Sequence, residues 1–423
     1  MTTTTPRAGT LDVFYGLELL GIVLDTSPLT FEYAPAWLNR PGGAFPLATI
    51  ALQAGPLASP PVQAFFENLL PEGELRVYLS EQRKVSTLFS LLLEVAGDTA
   101  GAFVMLPHGQ KPAAPAYEAT TWAALAGIVR STSAAAIQLQ GGATRISLAG
   151  AQDKASIALF DGETTPLLPQ GSAASTHILK PDIRRLAKVR ESAVNEAIIM
   201  RTAAHCGLAT AKVFYEPLTH ACVVERFDRF TRGDGTLGRL IQYDFCQIAG
   251  VVSEKKYEKE GGPGVARCAQ IIRQHSTSAA VDLQAFVQWI FLNLFVGNHD
   301  GHAKNLSMLQ RPGEGSRLSP FYDLMCTRIY PGLSKEFAFR IGGEVLPGEI
   351  GKAQVQGLAA QIGIGAKYLQ SVALKLAAKV PEAVDKATRE IHPHLGKGGQ
   401  AFAEKLALDI TSKTRHAAAR IES

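Results

Sequence analysis

Cysteine is scarce in this chain of 423 residues. There are five, Cys206, Cys222, Cys246, Cys268 and Cys326, an odd number with no two close enough for a Cys-x-x-Cys pair. That excludes a disulfide framework and a structural zinc site, and it points to scattered, partly buried thiols in a reducing compartment. Charge is sparse as well. Charged residues make up 19%, and 42 basic against 38 acidic side chains leave only +4, far from the density of a nucleic-acid coat. A secretory leader is absent from Met1 to Thr10, which is Thr-rich with one Arg and no apolar stretch. The most apolar segment, Phe286 to Val296, is short and carries Gln288 and Asn293, whereas a bilayer span needs roughly 20 apolar residues, so no membrane crossing is expected. The expected location is therefore the cytoplasm. What is plentiful is apolar material, 46% of the chain, enough for a large core and too much for wholesale disorder. At roughly 150 residues per domain the length suggests two or three domains.

The first half reads as β-rich with short helices. Thr10 to Leu24 alternates about a turn at Gly16, Val62 to Leu70 and Ser86 to Ala96 have helical spacing, and Pro107 to Pro115 reads as a loop. Ile146 to Leu148 and Ala155 to Phe160 suggest two strands about a tight turn, followed by short strands at Thr176 to Lys180 and Ala221 to Phe227. Glu191 to Cys206 predicts a helix, with Gly207 as its stop. Beyond about Gln242 helices dominate: Ala266 to Gln274, Leu283 to Val296, Val355 to Lys379 and Gly399 to Arg420. A β-then-α order suits a two-lobed nucleotide-using enzyme without being specific to one.

The densest chemistry follows the apolar helix. Asn298 to Asn305 (NHDGHAKN) packs a carboxylate, two imidazoles, an amine and an amide into eight positions. Phosphoryl transfer needs an Asp to orient the attacking hydroxyl and take its proton, and an Asn to hold magnesium on the phosphates. Asp300 and Asn305 have the Asp-x-x-x-x-Asn spacing of a kinase catalytic loop. Lys304 is placed to neutralise charge on the transferring group. A second metal-binding carboxylate should follow, and Asp323 stands 18 positions on, within Ser-Pro-Phe-Tyr-Asp-Leu. Read blandly, this is a polar loop whose Asp caps a turn. A zinc pair at His299 and His302 is disfavoured, because their spacing suits neither a helical i, i+4 pair nor a finger.

A kinase also needs a strand lysine, a helix glutamate to pair with it, and a loop over the phosphates. Lys180 ends the strand THILKP, and Glu191 and Glu196 on the next helix are its candidate partners, Glu196 preferred. The loop candidate is Ser147-Leu148-Ala149-Gly150-Ala151-Gln152-Asp153-Lys154, whose small residues let backbone N–H groups approach phosphate oxygens, although it is neither G-x-x-x-x-G-K-[ST] nor G-x-G-x-x-G. The strand Val223 to Phe227 could offer backbone groups to adenine, and reads equally well as a core strand.

Taken in order, RISLAGAQDK (145–154), THILKP (176–181), ESAVNE (191–196), VVERFDR (223–229), GGPG (261–264), DGHAKN (300–305) and PFYD (320–323) resemble the HipA family, the serine/threonine-kinase toxins of bacterial HipBA-type toxin–antitoxin modules. FEYAPAWL (31–38), PGGAFPL (41–47), FFENLLPEGELR (65–76) and GDTAGAF (97–103) resemble that family's N-terminal subdomain. The resemblance runs from about Leu11 to about Gly343, with a generic helical tail beyond.

The resemblance implies an α+β, two-lobed protein-kinase-like fold with an extra β-rich N-terminal subdomain and an all-helical C-lobe. Its parts would be a disordered 1–10, the subdomain at 11–130, a kinase-like N-lobe at 131–245 and a helical C-lobe at 246–423. It implies ATP and Mg2+ as cofactors and Asp300 as the catalytic residue. Asn305 and Asp323 would be the metal ligands. Ala149, Gly150, Ala151, Gln152, Asp153, Lys154, Lys180, Glu225, Arg226, Phe227, His302, Ala303, Lys304 and Tyr322 would join Asn305 and Asp323 in binding nucleotide. Ser147 occupies the place of the family's autophosphorylated serine; a phosphate there would repel those of ATP and silence the enzyme. Implied partners are a HipB-like helix-turn-helix antitoxin, operator DNA only through that complex, and an aminoacyl-tRNA synthetase substrate, best known as the glutamyl enzyme, whose modification arrests translation and growth and gives persistence. His299 before the Asp is a departure that resembles small-molecule kinases. A small-molecule or lipid kinase, and a silent co-repressor scaffold binding an antitoxin, are the alternative readings.

Overall fold

The protein is described here from a computed structural model, which covers residues 9–423 apart from 73–75, 78–79, 82–83, 96, 132–153, 161 and 185. Ser147, Ala149, Gly150, Ala151, Gln152 and Asp153, the strand expected at Ile146 to Leu148, and all but the end of the N-terminus expected to be disordered lie outside the described residues. The chain forms two compact units, Met1–Ile178 with Asp228–Ser253, and Leu179–Phe227 with Glu254–Ser423.

The first unit is built on an antiparallel sheet in the order Thr30–Tyr33, Glu18–Leu24, Thr10–Tyr15, Phe103–Pro107. The alternation seen in the sequence decides its faces. Leu11, Val13, Leu20, Phe31, Tyr33, Phe103 and Met105 turn into one core, which helices Pro60–Glu67 and Leu88–Val95 close with Val62, Phe65, Phe66, Phe89 and Leu92. Burying each of these large side chains contributes on the order of 1.5–3 kcal/mol. The opposite face carries a small cluster of Phe14, Val104 and Leu106 against Leu19. Gly16, at φ +60°, makes the tight turn between the first two strands, with Leu17 exposed at its tip.

Two polar networks explain motifs whose role the sequence left open. Asp98 accepts from Arg229 Nη2 (2.8 Å) and Ser175 N (2.9 Å) and pairs with Arg239, while Asp228 accepts from Gly101 N (2.7 Å) and Arg229. GDTAGAF and the end of VVERFDR are thus two halves of one buried ion cluster. Glu67, in FFENLLPEGELR, accepts from Ser253 N and Oγ and from Arg76, and its neighbour Asn68 donates to Val251 O at 2.8 Å. Both are buried polar groups whose cost is met by hydrogen bonds.

In the second unit, strand His177–Pro181 (from Leu179 on) neighbours Ala221–Glu225, which pairs antiparallel with Val213–Glu216. Helix Ser192–His205 packs on these strands and ends before Gly207, as the spacing predicts. Around helix Ala279–Val296 stand Val265–His275, Ala366–Ile391 and Lys397–Glu422, and a hairpin, Ser307–Arg311 with Gly315–Leu318, stands among the helices.

Two expectations are corrected. The helix predicted at Val355 to Lys379 is two helices, Lys352–Ile362 and Ala366–Ile391. Gly363 (φ +63°) ends the first in the left-handed cap that glycine adopts freely, and Ile364 N returns to Ala359 O. The apolar helix starts earlier than Leu283, at Ala279, and at 18 residues is long and apolar enough, by length and composition, to cross a membrane. With 67% of that length buried inside the unit, and every residue from Trp289 to Val296 buried, it has the surroundings of a core helix.

Candidate active site

The second unit gathers a chain of polar side chains from four separate segments. Strand His177–Pro181 carries Lys180, 6% exposed, which donates to Glu196 Oε1 (2.5 Å) on helix Ser192–His205 and to Asp323 Oδ1 (2.7 Å). The other oxygen of Asp323 accepts from Asn305 Nδ2 at 2.9 Å, and Asn305 Oδ1 accepts from His302 N at 3.2 Å. Burial alone would strip the charge from Lys180. The carboxylates of Asp323 and Glu196 outweigh it and hold the ammonium charged well above the ordinary lysine range. Of the two glutamates proposed for Lys180, the structure selects Glu196. Glu191 sits at the helix start in a left-handed conformation (φ +54°), half-buried, and burial raises its carboxyl.

Local structure explains how each group is aimed. Asp323 has φ +60°, a strained conformation for a residue with a side chain. It is held on both flanks. Phe321 N donates to Ala209 O and Ala211 N to Phe321 O, while Asn195 clamps the backbone of Cys326, accepting its N–H at 2.9 Å and donating to its carbonyl at 3.0 Å. Helix Ser192–His205 therefore delivers Glu196 to the lysine and, from the adjacent position, Asn195 to the segment that carries Asp323. Sequence reasoning weighed the two glutamates of ESAVNE and passed over Asn195. Its signal was an amide on the buried face of a helix, beside Glu196, which burial obliges to find partners.

The segment Asn298 to Asn305 begins where Gly297 (φ +74°) caps the central helix. Asn298 donates to Asn293 Oδ1 and accepts from Asp300 N. Gly301 lies so close to Asn293 and Trp289 that no Cβ fits there without displacement. His299 turns inward: its N–H donates to Thr327 Oγ1, Nδ1 bonds Ser334 O at 3.0 Å, and burial lowers its basicity, so this imidazole is neutral. It supports the loop, and among the described residues no cluster of His, Cys, Asp or Glu forms a further metal site. Asp300 faces outward, its Oδ1 accepting from Tyr257 Oη at 2.5 Å. Sequence reasoning did not single out Tyr257.

Near this cluster, Tyr322 Oη bonds Ser307 Oγ and donates to Lys304 O (2.8 Å), and its ring lies 5.5 Å from that of Phe227. Lys304 and Arg226 are buried. Glu225 is brought instead to Lys212, whose carbonyl its N–H meets at 2.8 Å. Lys154 is buried in the first unit. Asp323 and Asn305 carry oxygens of the hard kind that magnesium prefers, and in this structure Asn305 turns its Nδ2 to Asp323 and its Oδ1 to His302 N.

The chain matches the HipA-like C-terminal domain family over residues 146–387 and the HipA N-terminal domain family over residues 11–106. It is 38% identical over 366 residues to the Y4mE protein of Sinorhizobium fredii, covering 84% of this chain and 85% of that one. It is 28% identical over 401 residues to the serine/threonine-protein kinase toxin HipA of Shewanella oneidensis, covering 90% and 89%. A solved structure, the Shewanella oneidensis HipA, HipB and operator DNA complex, superposes with a TM-score of 0.83 at 25% identity, covering 97% of this chain and 98% of that one.

Proposed function

This chain belongs to the HipA family of kinase toxins, and we propose that it transfers the γ-phosphoryl group of ATP to a protein serine or threonine. The observation that carries the reading is the Lys180, Glu196, Asp323, Asn305 chain, four residues from four segments joined in one hydrogen-bonded line beside Asp300.

Asp300 accepts the proton of the acceptor hydroxyl as its oxygen attacks the γ-phosphorus, and the bond to the β–γ bridging oxygen breaks to release ADP. Lys180, held charged and fixed in direction by Glu196, balances phosphate charge. Asn305 and Asp323 would hold Mg2+, which screens the phosphates and orients them in line when bound. Lys304 lies in the same loop to offset charge on the transferring group. The rings of Phe227 and Tyr322, with Glu225, Arg226, His302 and Ala303, supply the remaining nucleotide contacts, and the family resemblance assigns 149–154 to nucleotide binding as well.

The wider reading follows the family. The acceptor is an aminoacyl-tRNA synthetase, the glutamyl enzyme first, so that its modification arrests translation and growth. Ser147 is the autophosphorylated residue, and a phosphate there turns the enzyme off. The partner is a HipB-like antitoxin, supported by the solved complex of HipA with HipB and operator DNA, and this chain reaches DNA only through it. The cytoplasm is the location, in keeping with five buried cysteines, none in a disulfide.

The test is phosphotransfer by the purified full chain with Mg-ATP. Wild type is expected to label itself and glutamyl-tRNA synthetase, and Asp300→Asn to label neither. Equal activity, or equal inertness, of the two proteins rejects the assignment. Transfer to a small alcohol alone would favour a small-molecule kinase.

A further inference from the structure

The Gly-Gly-Pro-Gly motif at 261–264 has no part in the chemistry above, and the structure places it around Tyr257. The carbonyl of Tyr257 accepts from the N–H groups of Glu260 and Gly262, both at 3.0 Å, folding the loop back on itself. A Cβ on Gly262 would run into the Lys255 carbonyl, so that glycine is required by close approach, and one on Gly264 would displace the end of the Glu258 side chain. The loop is anchored from outside as well: Glu258 N donates to Ala338 O, and Glu258 Oε2 accepts from Arg340 N at 2.6 Å. The ring of Tyr257 stands edge-on to His302 at 5.2 Å, with Lys256 Nζ 5.3 Å from its centroid. The backbone contacts hold the loop and those of His302 and Lys256 flank the ring, whose hydroxyl is set on Asp300 Oδ1 at 2.5 Å.

From this we infer that Tyr257 is a positioning residue for Asp300 and that the Gly-Gly-Pro-Gly loop exists to hold it there. Asp300 is an exposed side chain at a loop end, free to turn about χ1 and χ2 unless something pins it. A hydrogen bond to Oδ1 pins it and leaves Oδ2, which has no partner among the described residues, to receive the acceptor's proton. The hydroxyl's part is to fix direction. A general base has to lie within about 2.6–3.2 Å of the proton it takes, so losing that direction costs rate in the chemical step and leaves nucleotide binding untouched. The inference rests on the kinase reading, with Asp300 as its base.

The test compares wild type, Asp300→Asn, Tyr257→Phe, Gly262→Ala and the Tyr257→Phe/Gly262→Ala double variant, using radiolabelled Mg-ATP with casein as a generic acceptor. Tyr257→Phe keeps the ring and removes only the hydroxyl. It is expected to lower kcat about 10- to 100-fold with KM for ATP and the melting temperature unchanged. Gly262→Ala, which moves the loop and keeps the hydroxyl, is expected to do the same, and the double variant to be no worse than the poorer single one. An unchanged or raised kcat in Tyr257→Phe overturns the inference while Asp300→Asn still reports on the kinase reading. Additive losses in the double variant overturn the role given to the loop. Equal inertness of wild type and Asp300→Asn removes both the reading and the inference.

Discussion

Lys180 Nζ and Asp323 Oδ1 lie 2.7 Å apart across 143 positions of sequence, and Glu196 closes the same ammonium from the other side. The three groups are not equally exposed. Glu196 is wholly buried and the Lys180 side chain nearly so, whereas that of Asp323 is 44% exposed. Breaking the pair therefore has different consequences at its two ends.

Lys180→Met leaves the Glu196 carboxylate buried without its cation. A loss of about 3–5 kcal/mol is expected at neutral pH, along with loss of phosphotransfer. Adding Glu196→Gln to Lys180→Met should recover much of the stability and none of the activity. Urea denaturation of the four proteins of that cycle checks both statements.

Asp323→Asn removes the exposed end. Lys180 keeps Glu196, so the change in stability should be small. On the proposed reading, in which Asp323 would hold the metal, activity should fall by about 100-fold or more, since its carboxylate becomes a neutral amide. A magnesium titration of the residual rate is expected to move to higher concentration.

Asp98→Ala tests the cluster in the first unit. The Arg229 guanidinium, whose side chain is 2% exposed, would lose a carboxylate partner. About 3–5 kcal/mol of destabilisation is expected, read from a chemical denaturation midpoint. Asp98→Asn, which retains an acceptor oxygen, should cost less.

The pH dependence has a definite sign at Asp282. Burial alone would raise its carboxyl; the bidentate bond from Arg317 and those from Ser276 Oγ and Leu318 N outweigh it and hold the group below the ordinary aspartate range. A carboxyl lowered on folding contributes stability above its unfolded value of about 3.9, and that stability is lost as the pH falls through the folded value. Wild type should therefore lose more stability on acidification below about pH 4 than Asp282→Asn, as measured by thermal melts in a series of acid buffers.

All five cysteines are buried and none forms a disulfide. Burial raises Cys326 to about 11 and Cys206 to about 12, and holds Cys222 well above the ordinary thiol range, so the nucleophilic thiolate is scarce. A thiol reagent at pH 8 should label the folded protein slowly or not at all, and five sites after denaturation in guanidinium.

The local features were legible from residues alone, because they depend on spacing along the chain. The alternation in Thr10 to Leu24, the stop at Gly207, the Asp300 to Asn305 spacing and the preference for Glu196 belong to this kind. The break at Gly363 was not, because the apolar period runs on across it and only the cap geometry shows which glycine ends a helix. Asn195 and Tyr257 were not, because nothing near either residue in sequence names Cys326 or Asp300 as its partner.

By itself, then, the sequence determined the family, the order of the elements and the residue types of the candidate site, since these are written in periodicity and motif. Only the tertiary structure decided which groups meet. It placed Lys180 between two carboxylates, joined GDTAGAF to Asp228 and Arg229, turned His299 inward, and set the Tyr257 hydroxyl on Asp300. The physical reason is that a buried polar group must find a partner, and in a folded chain that partner is supplied by whichever element packs against it, however distant in sequence.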